Sequence, residues 1–249
     1  MRQVFSYYGS KSKRAHLYPQ ATNGLVIEPF AGSASYSVQL MPNDNLSFWF
    51  NDLNKDTCEV WKYLTSSPCL ETIRAFIPDT MRRGTSITDH ICNAQDKTGL
   101  KCPYGLEVYL RAATNRGTLG TGYFDAVTYW CAEEWPTIYR KLVWAIERLS
   151  LADIEVTGKS YTDLPNPPAV WFVDPPYNNL AGFRYVENNI DYSHLADWCL
   201  SRDGIVIVCE QMTATWLPFK PMKTYLQDQS GLPPRVEEAI CIIENGVIK

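Results

Sequence analysis

From Val170 the chain reads Val-Trp-Phe-Val-Asp-Pro-Pro-Tyr, an apolar run of strand length that stops at a carboxylate, two prolines and an aromatic ring. Proline has no N–H to give to a sheet ladder, so a double proline ends the strand and turns the chain out of the sheet. The run therefore predicts a buried strand with Asp174 at its carboxyl end. In an open α/β sheet that edge is where ligands bind, so the fold class and the candidate site come from one stretch of sequence.

The segments around it alternate in the same way. Residues 24–30, with Leu25, Val26 and Ile27, read as a first strand, followed by the small-residue turn Ala31-Gly32-Ser33 and a helix to about Leu40. Residues 46–50 read as a second strand running into Asn51-Asp52, and residues 54–64 have the spacing of an amphipathic helix. After Pro136 come a helix to about Leu149, a strand at 154–156, the strand ending at Asp174, a helix over 192–200 and strands at 205–208 and 239–243. This predicts an α/β fold with a doubly wound, mostly parallel, seven-stranded Rossmann-like sheet.

Between residues 68 and 135 the texture changes. Glycines (Gly84, Gly99, Gly105, Gly117, Gly120, Gly122) mix with arginines and exposed-looking aromatics (Tyr104, Tyr109, Tyr123, Phe124), without strand alternation. The expected organisation is a core formed by residues 1–67 and 136–249, with a mainly helical module inserted at 68–135.

A length of 249 residues suits one α/β core with such a module, and the net charge of −4 argues against coating nucleic acid through bulk positive potential. Local basic faces remain open, at Lys11, Lys13 and Arg14 and at Arg82, Arg83, Lys97, Lys101, Arg111 and Arg116. No apolar run approaches the roughly 20 residues of a membrane span, and the amino terminus lacks a signal-peptide core. The eight cysteines are scattered without a Cys-x-x-Cys pair, and His16, His90 and His194 lack ligand spacing. A cytoplasmic protein with reduced cysteines, no metal and no membrane partner is expected. Trp130, Trp135, Tyr139 and Trp144 read as core rather than as a base-stacking stripe.

Asp174, Pro175, Pro176 and Tyr177 suit one task. The exocyclic amine of adenine is a poor nucleophile because its lone pair is delocalised into the ring. A carboxylate on one N–H and the Pro175 carbonyl on the other would localise that pair, while Tyr177 stacks on the extruded base and Pro176 keeps the turn rigid. On the other side of the site, Glu28-Pro29-Phe30-Ala31-Gly32-Ser33 follows the first strand and opens a helix, a turn that lets backbone N–H groups approach a polar ligand. Asp52, roughly 20 residues past Gly32, stands where an acid accepts the ribose hydroxyls of an adenosine moiety. Asp163 is placed similarly after the next strand and is read either as an adenine contact or as a turn acid before Pro165.

Taken in order, these motifs resemble the DNA adenine methyltransferases of the Dam type. Tyr7-Tyr8-Gly9-Ser10-Lys11 is similar to that family's amino-terminal aromatic-x-Gly-Gly-Lys segment, with Tyr7, Gly9 and Lys11 in the matching places. The turn from Glu28 to Ser33 resembles its methionine-binding turn, Asn51-Asp52-Leu53-Asn54 its ribose-binding segment, Ser160-Tyr161-Thr162-Asp163 the next motif and Asp174-Pro175-Pro176-Tyr177 its catalytic tetrapeptide. Pro234-Arg235-Val236-Glu237-Glu238-Ala239-Ile240 resembles its closing segment. The resemblance implies S-adenosylmethionine as cofactor, bound by these residues, and direct in-line methyl transfer to the N6 amine of an adenine flipped from double-stranded DNA.

It also implies that the insertion is a target-recognition module. Tyr109-Leu110 and Asn115-Arg116-Gly117 resemble the family's recognition segment, with Arg111, Asn115, Arg116 and Tyr123 as DNA-contact candidates. Tyr123-Phe124-Asp125-Ala126 departs from the Phe-Asn-Val-Pro-like stretch of the family, and Ser10 and Ala34 replace family glycines. A cognate restriction nuclease is a further partner the resemblance allows. Two alternatives stand beside this reading: methylation of guanine or adenine amines in RNA, and a catalytically silent DNA- or cofactor-binding protein of the same fold.

Overall fold

The computed structural model describes residues 3–41, 43–77, 86–114, 119–120, 135–180, 182–222 and 238–249. The first half of the core runs β1 (Gly24–Glu28), α1 (Ser35–Leu40), β2 (Leu46–Asn51), α2 (Lys55–Thr65). Three helices follow, α3 (Leu70–Phe76), α4 (Ile87–Thr98) and α5 (Tyr104–Thr114). The second half runs α6 (Trp135–Leu149), β3 (Asp153–Thr157), β4 (Ala169–Val173), α7 (Tyr192–Leu200), β5 (Gly204–Gln211), β6 (Lys220–Pro221), β7 (Glu238–Glu244) and β8 (Val247–Ile248).

Side-chain oxygens satisfy the first N–H groups of three helices, with Asn54 accepting from Thr57, Ser86 from Asp89, and Asp191 from Ser193 and His194.

One sheet takes the order β3-β2-β1-β4-β5-β7-β6, and β8 pairs with β7. The strands from β3 to β5 are all parallel, whereas β7 runs antiparallel to β5 and to both of its short partners. The chain winds outward from β1 in one direction and from β4 in the other, so the reversal lies between these two strands, where Ile27 pairs with Trp171. That is the position at which an open sheet leaves a crevice.

A sheet of seven strands was expected, six of them placed along the sequence, and the described residues form eight, β6 and β8 being the two not placed. The eighth exists because Asn245 and Gly246 both take positive φ, 49° and 78°, making a two-residue hairpin loop that returns Val247 against Glu244.

Alternate residues of the central strands feed the two faces of the sheet. Val26, Phe48, Phe50, Phe172 and Ile207 belong to one cluster with Trp61, Leu64 and Ile138, whereas Ile27, Trp49, Trp171, Val206 and Val208 join Leu195 and Trp198 in another. Helices cover both faces, as the sequence alternation predicts.

The described part of 68–135 is helical, as expected, but it builds no core of its own. Ile73, Phe76, Ile87, Ile91, Leu106 and Leu110 enter the first cluster. α5 lies so close to α2 that a Cβ on Gly105 would meet the Glu59 carbonyl at 2.2 Å. Tyr109, read from sequence as exposed, is 1% exposed, because its face of α5 is the one pressed onto α2; Tyr104, one turn away, is exposed. No helix of the described residues is long and apolar enough to cross a membrane.

Candidate functional site

An acid stands at the same sheet edge on each of five strands. Glu28 is the last residue of β1, Asp52 follows β2, Asp174 follows β4 and Glu210 is the penultimate residue of β5. Glu238 begins β7, but that strand is antiparallel, so its start falls opposite Gln211 at the carboxyl end of β5. Glu28, Asp52, Glu210 and Glu238 are all buried. A cavity of about 300 Å³ opens at this edge, at the β1/β4 crevice, and both Gly32 and Asp174 line it. A second, of about 560 Å³, lies against Asp174, Tyr177, Arg14 and Glu238. Asp174, Lys11 and Tyr185 border both cavities, so the carboxylate stands where the two meet.

The Asp-Pro-Pro-Tyr turn is held from several sides. Lys11 Nζ lies 2.7 Å from Asp174 Oδ1 and 4.7 Å from the centre of the Tyr177 ring. The Tyr177 hydroxyl donates to Glu238 Oε1, and Tyr192 donates to the Pro176 carbonyl at 2.6 Å. No donor among the described residues reaches the Pro175 carbonyl. Burial pushes the Asp174 carboxyl up to about 6, with Lys11 pulling it back and Glu238 adding to the rise. Burial also works against the Lys11 ammonium, but Asp174 and Glu238 outweigh it and hold its pKa above the ordinary lysine value.

The turn after β1 is fixed by the end of β2. Asp52 accepts from Gly32 N at 2.8 Å and Asn54 N at 2.9 Å, and Asn51 donates to the Pro29 carbonyl at 3.0 Å. Burial lifts Asp52 to about 6 against those two N–H bonds, and lifts Glu28, which accepts from Ser37, to about 8. Phe30 packs on Tyr161 with centroids 5.5 Å apart. Ser10, Ser33 and Ser35 form a triangle of hydroxyls 2.9–3.1 Å apart.

The Tyr7 ring lies between Gly32 and Gly120, where an added Cβ would meet it at 2.6 Å and 2.8 Å. Gly32 also sits at φ +48°, so Gly32→Ala combines backbone strain with this clash. A loss of about 1–3 kcal/mol of stability is expected, read as a lowered thermal unfolding midpoint. An unchanged midpoint would show that the ring yields without cost.

Most of the cofactor-side candidates come together. Tyr7, Gly9, Lys11, Glu28, Pro29, Phe30, Gly32, Ser33 and Asp52 all border the first cavity. Asp163 does not: it is exposed in a short helical turn, while Ser160 and Tyr161 beside it face the cavity.

Of the DNA-contact candidates, Arg111 is half-buried on α5, paired with Glu107 at 2.7 Å. Asn115, Arg116 and Tyr123 lie outside the described residues. Tyr109 and Leu110 are buried in the core and present nothing to a partner.

Three residues join the site that sequence reading did not place there. Tyr185 donates to the Tyr8 carbonyl at 2.9 Å and leaves room only for glycine at position 9, where a Cβ would come 2.1 Å from its hydroxyl. Glu210 accepts from Asn178 N at 3.0 Å, tying the loop after the Asp-Pro-Pro-Tyr turn to β5. Glu238 gathers Tyr177, Tyr18 and Arg14. The available signal was an acid placed directly against an apolar strand, at Glu210 and Glu238, the pattern that singles out Asp174. The chain matches no family model and no curated protein.

Proposed function

We propose that this protein is a DNA methyltransferase of Rossmann-like methyltransferase fold that moves a methyl group from S-adenosylmethionine to the N6 amine of an adenine flipped out of double-stranded DNA. The observation that carries the reading is the position of Asp174 between two cavities, one against the Gly32 turn and Asp52, the other against Tyr177. Two ligands admitted from opposite sides would meet at this carboxylate.

The first cavity has the features the cofactor calls for: a buried acid for ribose hydroxyls, an aromatic pair at Phe30 and Tyr161, and a set of hydroxyls and carboxylates for a charged amino-acid end. When bound, S-adenosylmethionine supplies an electrophilic methyl group. The chain's own residues prepare the amine. Asp174 accepts one N–H, the Pro175 carbonyl, which takes no bond from a described donor, the other, and Tyr177 supports the base plane. As the nitrogen gains its new bond it loses a proton, which Asp174 is placed to take. Lys13 and Arg14 border the second cavity, and Phe183 and Leu180, 64% and 85% exposed, stand on the loop that follows the tetrapeptide. Cations at the cavity and exposed apolar side chains on that loop suit approach to a phosphate backbone and a base stack.

One observation favours a second reading. Lys11 already occupies an oxygen of Asp174, as in a protein that binds DNA or S-adenosylmethionine without transfer. Incubation with tritiated S-adenosylmethionine and DNA, RNA or no nucleic acid separates the two: label in DNA adenine supports transfer, label in RNA alone overturns the DNA substrate, and binding without label supports the silent protein.

The acceptor role also fixes the pH dependence. Burial raises Asp174, so the folded protein holds this proton more tightly than an open chain would, and the ionised acceptor accumulates only as pH rises through about 6. The apparent second-order rate of transfer, kcat/KM, which reports groups of the free protein, is expected to climb between pH 5 and 7 with its midpoint near there. A rate flat across that interval would remove Asp174 as the acceptor.

A further inference from the structure

Lys11 has two carboxylates within reach, Asp174 Oδ1 at 2.7 Å and Glu238 Oε1 at 3.6 Å. Its short contact takes up an oxygen that the proposed chemistry needs for the amine. Glu238 is buried and belongs to a strand that brings it from the far end of the chain. Both its oxygens are engaged, Oε2 by Arg14 at 2.5 Å and Oε1 by the hydroxyls of Tyr18 and Tyr177. A buried carboxylate surrounded by charged and hydroxyl donors is held in place, and removing its charge releases all of them together.

We infer that Glu238 is a positioning residue with two linked tasks: it anchors the Tyr177 ring beside the second cavity, and it receives Lys11 when the incoming amine displaces the ammonium from Asp174. The inference rests on the proposed methyl transfer and names the step that frees its acceptor. The exchange needs only rotation about the lysine side chain, because Lys11 stays within the same group of anions. It forms and breaks no covalent bond. Tyr177 serves as the pivot, with its ring beneath the ammonium and its hydroxyl on Glu238.

The charges around the pair make this testable in the free protein. Glu238 is faced by Lys11, Arg14, Tyr18 and Tyr177, and Asp174 by Lys11, Glu238, Glu210 and, from the end of β1, Glu28, with Tyr177, Tyr185 and Cys209 nearby. Burial raises the three tyrosines and Cys209, so they stay neutral across the acid range, while Lys11, raised by its carboxylate partners, stays cationic. Glu238→Gln takes away the anion that repels the Asp174 carboxylate and leaves Lys11 to Asp174 alone. Both changes favour ionised Asp174, so its titration moves to lower pH.

The experiment follows Asp174 by carbon-13 NMR in the full-length protein and its Glu238→Gln and Glu238→Asp variants, alongside steady-state transfer to duplex DNA. In Glu238→Gln the Asp174 titration should move to lower pH. There kcat should fall on the order of tenfold or more while S-adenosylmethionine binding stays within about twofold. Glu238→Asp restores the charge but not the reach to Tyr177, so it should return the titration toward the parent and leave KM for DNA raised. If Glu238→Gln does not fold, Tyr177→Phe tests the anchoring alone, with KM for DNA expected to rise severalfold.

An Asp174 titration and kcat identical in Glu238→Gln and parent would overturn the inference, as would an unchanged KM in Tyr177→Phe. A parent that transfers nothing would instead overturn the proposed function, and the NMR titration would still report whether Glu238 and Asp174 are coupled through the charges between them.

Discussion

Asp174→Ala is expected to slow methyl transfer by about 30- to 1,000-fold, the equivalent of 2–4 kcal/mol for removal of one preorganised partner of the reacting group. The size follows from where the carboxylate stands. Among the described residues it is the carboxylate that borders both cavities, and burial limits how far bulk water can replace it. The fold should survive, because Lys11 keeps Glu238 as a partner at 3.6 Å. Binding of S-adenosylmethionine, followed by calorimetry, should change less than the rate. Tritium transfer at parental speed by a folded Asp174→Ala protein would end the assignment of this turn as the reacting centre.

Phe172→Ala should have the largest effect on stability. Phe172 is buried on β4 two positions before Asp174, stacked on Tyr36 at 4.3 Å and 4°, with Tyr18 edge-on at 5.0 Å. Truncating such a ring costs about 3–5 kcal/mol in lost transfer and cavity terms. In a chain of this size that lowers the unfolding midpoint on the order of 6–20 °C. Tyr36 would lose its stacking partner while still donating to the Pro19 carbonyl at 2.7 Å, so the packing cannot simply collapse into the gap. A midpoint within about 2 °C of the parent would contradict the packing described around β4.

Much of this fold was legible because its central strands are short, apolar and closed by polar punctuation. β1, β2 and β4 each end on or next to an acid with a turn residue behind it, and helix α2 announces itself with Asn54 as cap and an apolar stripe. β5 was read as ending at Val208, yet it continues to Gln211. Polarity misled the reading there, since Glu210 is fully buried and satisfied by Asn178, Gln211 and Trp216. β6 and β8 have two residues each and carry no periodicity, although Asn245-Gly246 was a hairpin signal in plain view.

The same division holds for the site. Gly32, Asp52 and Asp174 belong to local motifs and could be placed from their neighbours. Tyr185 and Glu238 reach Tyr8 and Tyr177 across 177 and 61 positions, and only the sheet order brings them there. Tyr109 shows the reverse error: glycines around an aromatic suggested a surface loop, but Gly105 is there to let α5 press onto α2.

The row of acids along one sheet edge has an electrostatic consequence. Asp174 is pushed toward its neutral form in part by Glu238 and Glu210, and Glu28 in part by Asp174. Anions held this close raise one another's energy, and Lys11 and Arg14 only partly relieve that repulsion. A positively charged guest settling among them lowers that tension, and a neutral one of the same shape does not. On the proposed chemistry the spent, uncharged thioether would therefore grip less firmly than the sulfonium it replaces, which would ease its release.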